Sequence, residues 1–189
     1  MTLQITWIAH GATAAVRRAA FPGDEPLEAK ARAKAAGLAS ALGRADQVLV
    51  APERRARETA HALGLAGTPD GGLRDCDHGR WAGRSLAELQ AEAPAALAAW
   101  LTDPAANPHG GESIADLIRR VAAWSDSRDR GEGRVLALTH PAVMRAALIH
   151  ALGASAAAFW RIDVAPLSRL ILSRHGGSWR LQALEKLAP

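Results

Sequence analysis

Two short apolar runs, each ending on a histidine, constrain this chain more than any other feature. Leu3 to Ala9 (LQITWIA) runs into His10-Gly11, and Val135 to Thr139 (VLALT) runs into His140-Pro141. Runs of this length, rich in Leu, Ile and Val and bounded by Gly or Pro, read as buried strands. Strands apolar on both faces belong to sheets covered by helices on both sides, in which the carboxyl ends of parallel strands form the ligand crevice. Two imidazoles delivered to that edge by separate strands can face one substrate.

The remaining segments alternate between the helical and the strand period. Residues 11–25 carry Gly11, Pro22, Gly23 and Asp24 and read as a loop over the crevice. A helix is expected from Pro26 to Leu42, a strand from Asp46 to Ala51, and a helix from Pro52 through Leu63 that ends at Gly64. A short strand is expected near Gly72 to Arg74. Helical stretches follow at Ser85 to Glu92, Pro94 to Leu101 and Glu112 to about Asp129, then the strand at Val135 and a helix from Ala142 to Leu152. A strand within Ala158 to Val164 and a hairpin pairing Ser168 to Arg174 with Trp179 to Ala183 complete the chain. The pattern predicts a three-layer α/β/α sandwich with a mostly parallel mixed sheet. At 189 residues, with neither repeats nor a low-complexity linker, residues 1–189 are expected to form one domain.

Composition excludes several classes of function. The formal charge is +4, but the arginines are scattered and lysine occurs only at Lys30, Lys34 and Lys186, so there is no basic stripe with interleaved aromatics for nucleic acid. No apolar run is long enough to span a bilayer, and the start of the chain enters a strand with no signal-like stretch before it; a cytoplasmic protein without membrane attachment is expected. The single cysteine, Cys76, excludes an intrachain disulfide, and no Cys/His spacing suits zinc. No cofactor is expected.

Four segments, in the right order and covering most of the chain, resemble the histidine phosphatase superfamily, the phosphoglycerate-mutase-like fold. His10-Gly11-Ala12-Thr13, with Phe21-Pro22-Gly23-Asp24-Glu25-Pro26-Leu27 behind it, is similar to the family's Arg-His-Gly-Glu-Thr opening and its loop ending in Pro-Leu. Ala51-Pro52-Glu53-Arg54-Arg55-Ala56-Arg57-Glu58-Thr59-Ala60 resembles the Ser-Pro-x-x-Arg-Ala-x-x-Thr-Ala helix start. Leu73-Arg74-Asp75-Cys76-Asp77-His78-Gly79-Arg80-Trp81 resembles the element that carries the proton donor. Gly110-Gly111-Glu112-Ser113, with Asp116 and Arg120, resembles the Gly-Glu-Ser helix opening that precedes the second histidine at His140.

The resemblance implies hydrolysis of a phosphomonoester through a phosphohistidine. That chemistry needs an unprotonated imidazole in line with phosphorus, donors on the equatorial oxygens and an acid for the leaving group. By motif, His10 is the nucleophile, His140 donates to the phosphoryl oxygens and Asp75 is the acid. Asp75 stands where the family has glutamate and is one methylene shorter, so Asp77 is a substitute candidate. Arg55 and Gly11 are implied in phosphate binding. Position 9, arginine in the family, is Ala9, and Pro141 replaces a glycine whose N–H could reach phosphate. Loss of one preorganised donor typically costs about 10²–10³ in turnover, so an impaired or retuned enzyme is implied. Arg17 and Arg18, in the loop after His10, either fold back over the phosphate as replacements or form a solvated pair. The literal Arg174-His175-Gly176 lies in the expected hairpin turn and is taken as a decoy.

His78 and Arg80 are assigned to the rim, while His61, His150 and Arg145 are assigned to packing or solvent. Residues 84–108 are expected to form a substrate-facing cap. The partner implied is a small phosphorylated metabolite, and the oligomeric state is open. The rival reading is a weak or inactive member of the family that binds a phosphorylated ligand or a protein partner.

Overall fold

The computed structural model describes residues 2–128 and 133–188. Six strands, β1 (Leu3–Ala9), β2 (Gln47–Val50), β3 (Thr68–Pro69), β4 (Gly133–Thr139), β5 (Ser168–His175) and β6 (Ser178–Lys186), form one sheet in the order β3-β2-β4-β1-β5-β6. The first four are mutually parallel, and β5 and β6 join antiparallel beyond β1. The helices are α1 (Ala14–Arg17), α2 (Ala29–Ala36), α3 (Arg54–Ala62), α4 (Leu86–Glu92), α5 (Pro94–Thr102), α6 (Ile114–Ser127) and α7 (Pro141–Leu152).

Strand alternation divides the helices into two layers. In β1, Trp7 turns to one face and packs against Trp124 of α6, their ring centroids 5.1 Å apart. Its neighbour Thr6 turns to the other face, beside Leu42 and Ala45. Both central strands are buried along their second halves, Ile8 and Ala9 in β1 and Leu138 and Thr139 in β4. The expected three-layer α/β/α arrangement is what forms, because runs this apolar need cover on both faces.

Several local expectations are corrected. The short strand lies at Thr68–Pro69, and Gly71–Leu73 is a 3₁₀ turn instead. Asp70 caps that turn, its Oδ1 accepting from the Gly72 N–H at 2.8 Å. No strand forms within 158–164; a 3₁₀ run, Ala156–Arg161, takes its place, capped by Ser155, and it buries Phe159 from a turn rather than from a pleat. The helix expected through Leu42 stops at Ala36 before Gly37, and a 3₁₀ turn covers Ala39–Ala41. Within the loop after His10, Thr13 caps the short α1. α6 ends at Ser127, and the expected end at Asp129 lies outside the described residues.

The β5–β6 hairpin turns on Gly176 and Gly177, with φ of 57° and 82°, the left-handed pair that a tight two-residue turn requires. Arg174 lies opposite Leu3, at the amino end of β1. His10 follows the carboxyl end of that strand, about 20 Å away at the rise of an extended chain. The literal Arg-His-Gly triplet is therefore remote from the other motifs.

Candidate active site

Ala9 and Thr139 are register partners on β1 and β4, so His10 and His140 leave adjacent parallel strands at the same level. The His10 N–H extends the ladder by donating to the Thr139 carbonyl at 2.9 Å. Both side chains are buried, His10 at 3% exposure and His140 fully, with ring centroids 5.2 Å apart and planes inclined at 61°. His10 Nδ1 lies 2.7 Å from the Gly11 carbonyl. A carbonyl only accepts, so Nδ1 carries the proton and Nε2 keeps its lone pair. Burial, with His140 and Arg55 nearby, pushes the His10 pKa down to about 3. The imidazole is thus neutral at physiological pH, the state a nucleophile needs.

The helix after β2 supplies the cation. Arg55 and Thr59 are one turn apart on the buried face of α3, and Thr59 Oγ1 donates to the Arg55 carbonyl at 2.7 Å and accepts from the Gly11 N–H at 3.0 Å. This bond ties α3 to the histidine loop and accounts for the spacing of Arg and Thr in the motif. It also occupies the Gly11 N–H, so Gly11 acts on the site through its two backbone bonds. Arg55 is 2% exposed; Nη1 donates to the Gly23 carbonyl at 2.5 Å and Nη2 to Asp75 Oδ2 at 2.6 Å.

Asp75 Oδ2 also lies 3.4 Å from His140 Nδ1, and Glu53 Oε2 lies 2.8 Å from His140 Nε2. Glu53 Oε1 in turn accepts from the Asp75 N–H at 2.9 Å. Burial is the largest single influence and works to raise both carboxyl pKa values, but it is outweighed by partners acting together, His140 with Arg55, His78 and His10 at Asp75 and His140 with backbone N–H groups at Glu53, and both are held below the ordinary carboxylate range. Arg120 completes the support: it grips Glu112 with two bonds of 2.7 Å and donates to the carbonyls of Gly72, Arg74 and Asp75. The Gly-Glu-Ser segment therefore acts by fixing the loop that carries Asp75.

These shifts make stability fall toward acid. The folded pKa values of Asp75 and Glu53 are depressed, so their contribution is present above the unfolded values near 4 and is lost as pH falls through the folded ones. His10 has the same sign: unfolded chains take up its proton near pH 6.5, while the folded chain resists until about 3. Thermal unfolding is expected to show a falling midpoint from pH 6.5 downward, steepening below pH 4.5; a flat midpoint over that range would refute the buried neutral His10.

A cavity of about 480 Å³ opens above the cluster, bordered by His10, Asp75, His78, Pro141 and Arg145 among largely apolar walls. Arg55 and His140 do not border it; each contacts Asp75, which does, at 2.6 and 3.4 Å. Arg17 and Arg18 do not border the cavity: Arg17 is 68% exposed and pairs with Glu28 at 2.8 Å, and Arg18 is exposed at the C-cap of the same short helix. Asp77 turns away, its carboxylate accepting from the Gly79 N–H. Of the rim pair, His78 borders the cavity, while Arg80 is bonded to the Pro108 carbonyl. His150 pairs with Asp126. Ala9 is fully buried and does not border the cavity.

Sequence reasoning missed two residues. Glu53, the ligand of His140, had one available signal: an acid at a strand's carboxyl end, just ahead of the motif arginine. Arg145, assigned to packing, instead borders the cavity.

A family model described as the histidine phosphatase superfamily, branch 1, matches residues 5–186. The chain belongs to that superfamily. A bifunctional protein of Mycobacterium tuberculosis is 35% identical over 142 residues, covering 71% of this chain and 39% of the relative. A glucosyl-3-phosphoglycerate phosphatase of the same organism is 37% identical over 103 residues, covering 51% of this chain and 46% of the relative. The chain thus spans less than half the length of these relatives. A solved mycobacterial glucosyl-3-phosphoglycerate phosphatase complexed with VO3 superposes with a TM-score of 0.86 at 27% identity, covering 97% of this chain and 98% of that one.

Proposed function

We propose that the protein is a phosphomonoesterase that hydrolyses a small phosphorylated metabolite through a phosphohistidine at His10. The observation that carries the reading is the meeting of His10, Arg55, Asp75 and His140 at one end of the sheet, with the His10 tautomer set by the Gly11 carbonyl. His10 Nε2 attacks phosphorus and the ester oxygen leaves with the electron pair of the broken P–O bond. Water then hydrolyses the phosphohistidine and returns the imidazole.

Arg55 and His140 stabilise the equatorial oxygens, and both are engaged with Asp75 before substrate arrives. A phosphate dianion competes for those same two partners. Their withdrawal, together with the negative charge of the phosphate, raises the Asp75 pKa. The carboxyl thereby becomes able to take a proton and deliver it to the leaving oxygen. Glu53 retains the other side of His140 throughout and keeps the ring aimed.

Superfamily membership and the phosphatase relatives support this reading over simple phosphate binding. Residues 1–189 are read as one domain, with 84–108 as its cap, since Leu86, Trp100 and Leu101 border the cavity. Among the described residues no helix is long and apolar enough to cross a membrane, and a cytoplasmic setting fits a small polar substrate.

The test is incubation with p-nitrophenyl phosphate. Steady release of nitrophenol is expected, with an acid-labile, alkali-stable phosphoryl group trapped on His10 after rapid quenching. Thermal stabilisation by phosphate without turnover would establish the rival reading, a binding protein.

A further inference from the structure

Arg145 is the one arginine or lysine that borders the cavity among the described residues. It sits on α7 at the fifth position after His140. Its Nε donates to the Ile162 carbonyl at 2.7 Å, and its guanidinium lies 5.5 Å from the Phe159 ring centre. These contacts hold it to the wall that carries Phe159, Trp160, Val164 and Pro166. Its two Nη groups have no hydrogen-bond partner among the described residues; Asp163 and, more weakly, Asp75 act on it only through their fields. Burial pulls its pKa below the ordinary guanidinium value, the mark of a cation short of compensating charge.

The wall beside it is aromatic. Trp100 and Trp160 pack edge to face at 4.3 Å, and Trp160 meets Phe159 edge to face in turn, so the three rings and the guanidinium form one continuous surface. A guanidinium whose Nη groups are unpaired at the end of an apolar wall is complementary to an anion.

We propose that Arg145, at the end of the wall formed by Trp100, Phe159 and Trp160, forms a subsite for a second anionic group carried on the alcohol part of the ester. The inference rests on the phosphomonoesterase reading and narrows it: the substrate is a phosphate ester with an apolar span that ends in a carboxylate or a second phosphate. The phosphate to be transferred sits over His10, the span lies along Phe21, Leu86 and Val164, and the second anion meets the guanidinium fork. The closing anion supplies the charge that Arg145 lacks.

A matched pair of phosphonates tests the subsite without turnover: benzylphosphonate and para-carboxybenzylphosphonate, titrated calorimetrically against the wild-type protein and its variants. The wild type is expected to bind the carboxylated compound about 10- to 100-fold more tightly, the span of a charge-assisted hydrogen bond. Arg145→Met should abolish that preference, and Arg145→Lys should retain part of it. No preference in the wild type, or an undiminished preference in Arg145→Met, overturns the proposal. So does an equal loss for both phosphonates, which would place Arg145 on the transferring phosphate. Phosphonates are not hydrolysed, so a protein that cleaves no ester yet shows the Arg145-dependent preference refutes the enzyme and upholds the subsite.

Discussion

Replacing His10 with alanine is expected to reduce hydrolysis of p-nitrophenyl phosphate by on the order of 10⁴-fold or more, as removal of a covalent nucleophile does. No neighbour can take over. His140 Nε2 is held by Glu53 at 2.8 Å, and its Nδ1, 3.4 Å from Asp75, is the nitrogen that donates to the phosphoryl oxygens and so offers no lone pair to phosphorus. The thiol of Cys76, which also borders the cavity, is held protonated by burial, which with Asp75 nearby pushes its pKa up beyond the ordinary range. The phosphoryl adduct should vanish with the activity. The same variant should lose the largest part of the acid sensitivity that begins at pH 6.5, with a remainder from His78 and His109, whose pKa values burial also lowers. Activity within about tenfold of wild type would show that water, rather than His10, attacks the ester.

Arg55→Ala should be the most damaging single change to activity and stability together. Its guanidinium reaches in two directions, to the Gly23 carbonyl and to Asp75, and holds the loop after β1 against the loop that carries the acid. Truncation removes a donor from the phosphoryl oxygens, about 10²–10³ in kcat/KM. It also leaves a buried carboxylate short of its partner, about 3–5 kcal/mol of stability. For a chain of this size that corresponds to a fall in Tm of about 6–20 °C. Arg55→Lys should rescue little, since one ammonium cannot reproduce the planar fork. The double variant Arg55→Met with Asp75→Leu separates the two roles: removing both charges should recover much of the stability while turnover stays lost. An unchanged Tm in Arg55→Ala would mean that the buried pair carries no net stabilisation.

Much of this site is legible in the chain because its parts are local. β1, β2 and β4 announce themselves as apolar runs, each handing a polar residue to the crevice at its carboxyl end. The spacing of Arg55 and Thr59 on one helical face is visible in the linear order of residues, and so is the acid position at Asp75. The failures are equally specific. Arg17 and Arg18 follow His10 closely enough to reach its phosphate, but Thr13 caps a short helix there and Glu28 takes the Arg17 guanidinium. Two glycines and the cap from Asp70 convert the expected strand at 72–74 into a 3₁₀ turn. Glu53 carries only its place ahead of the motif arginine and Arg145 no local mark at all, because the role of each is defined by a partner distant along the chain: His140 for one, the Ile162 carbonyl and the tryptophan wall for the other.

The sequence by itself determined the layered α/β class, the two histidine-terminated strands and the identity of the groups at the crevice, since periodicity and motif spacing act within a few residues of chain. Only the tertiary structure decided which charges meet. Placing β4 between β2 and β1 brings Glu53, His140 and His10 side by side and sets the Arg145 wall above them. Charge pairing and burial depend on distance through space, and the order of strands in the sheet sets that distance.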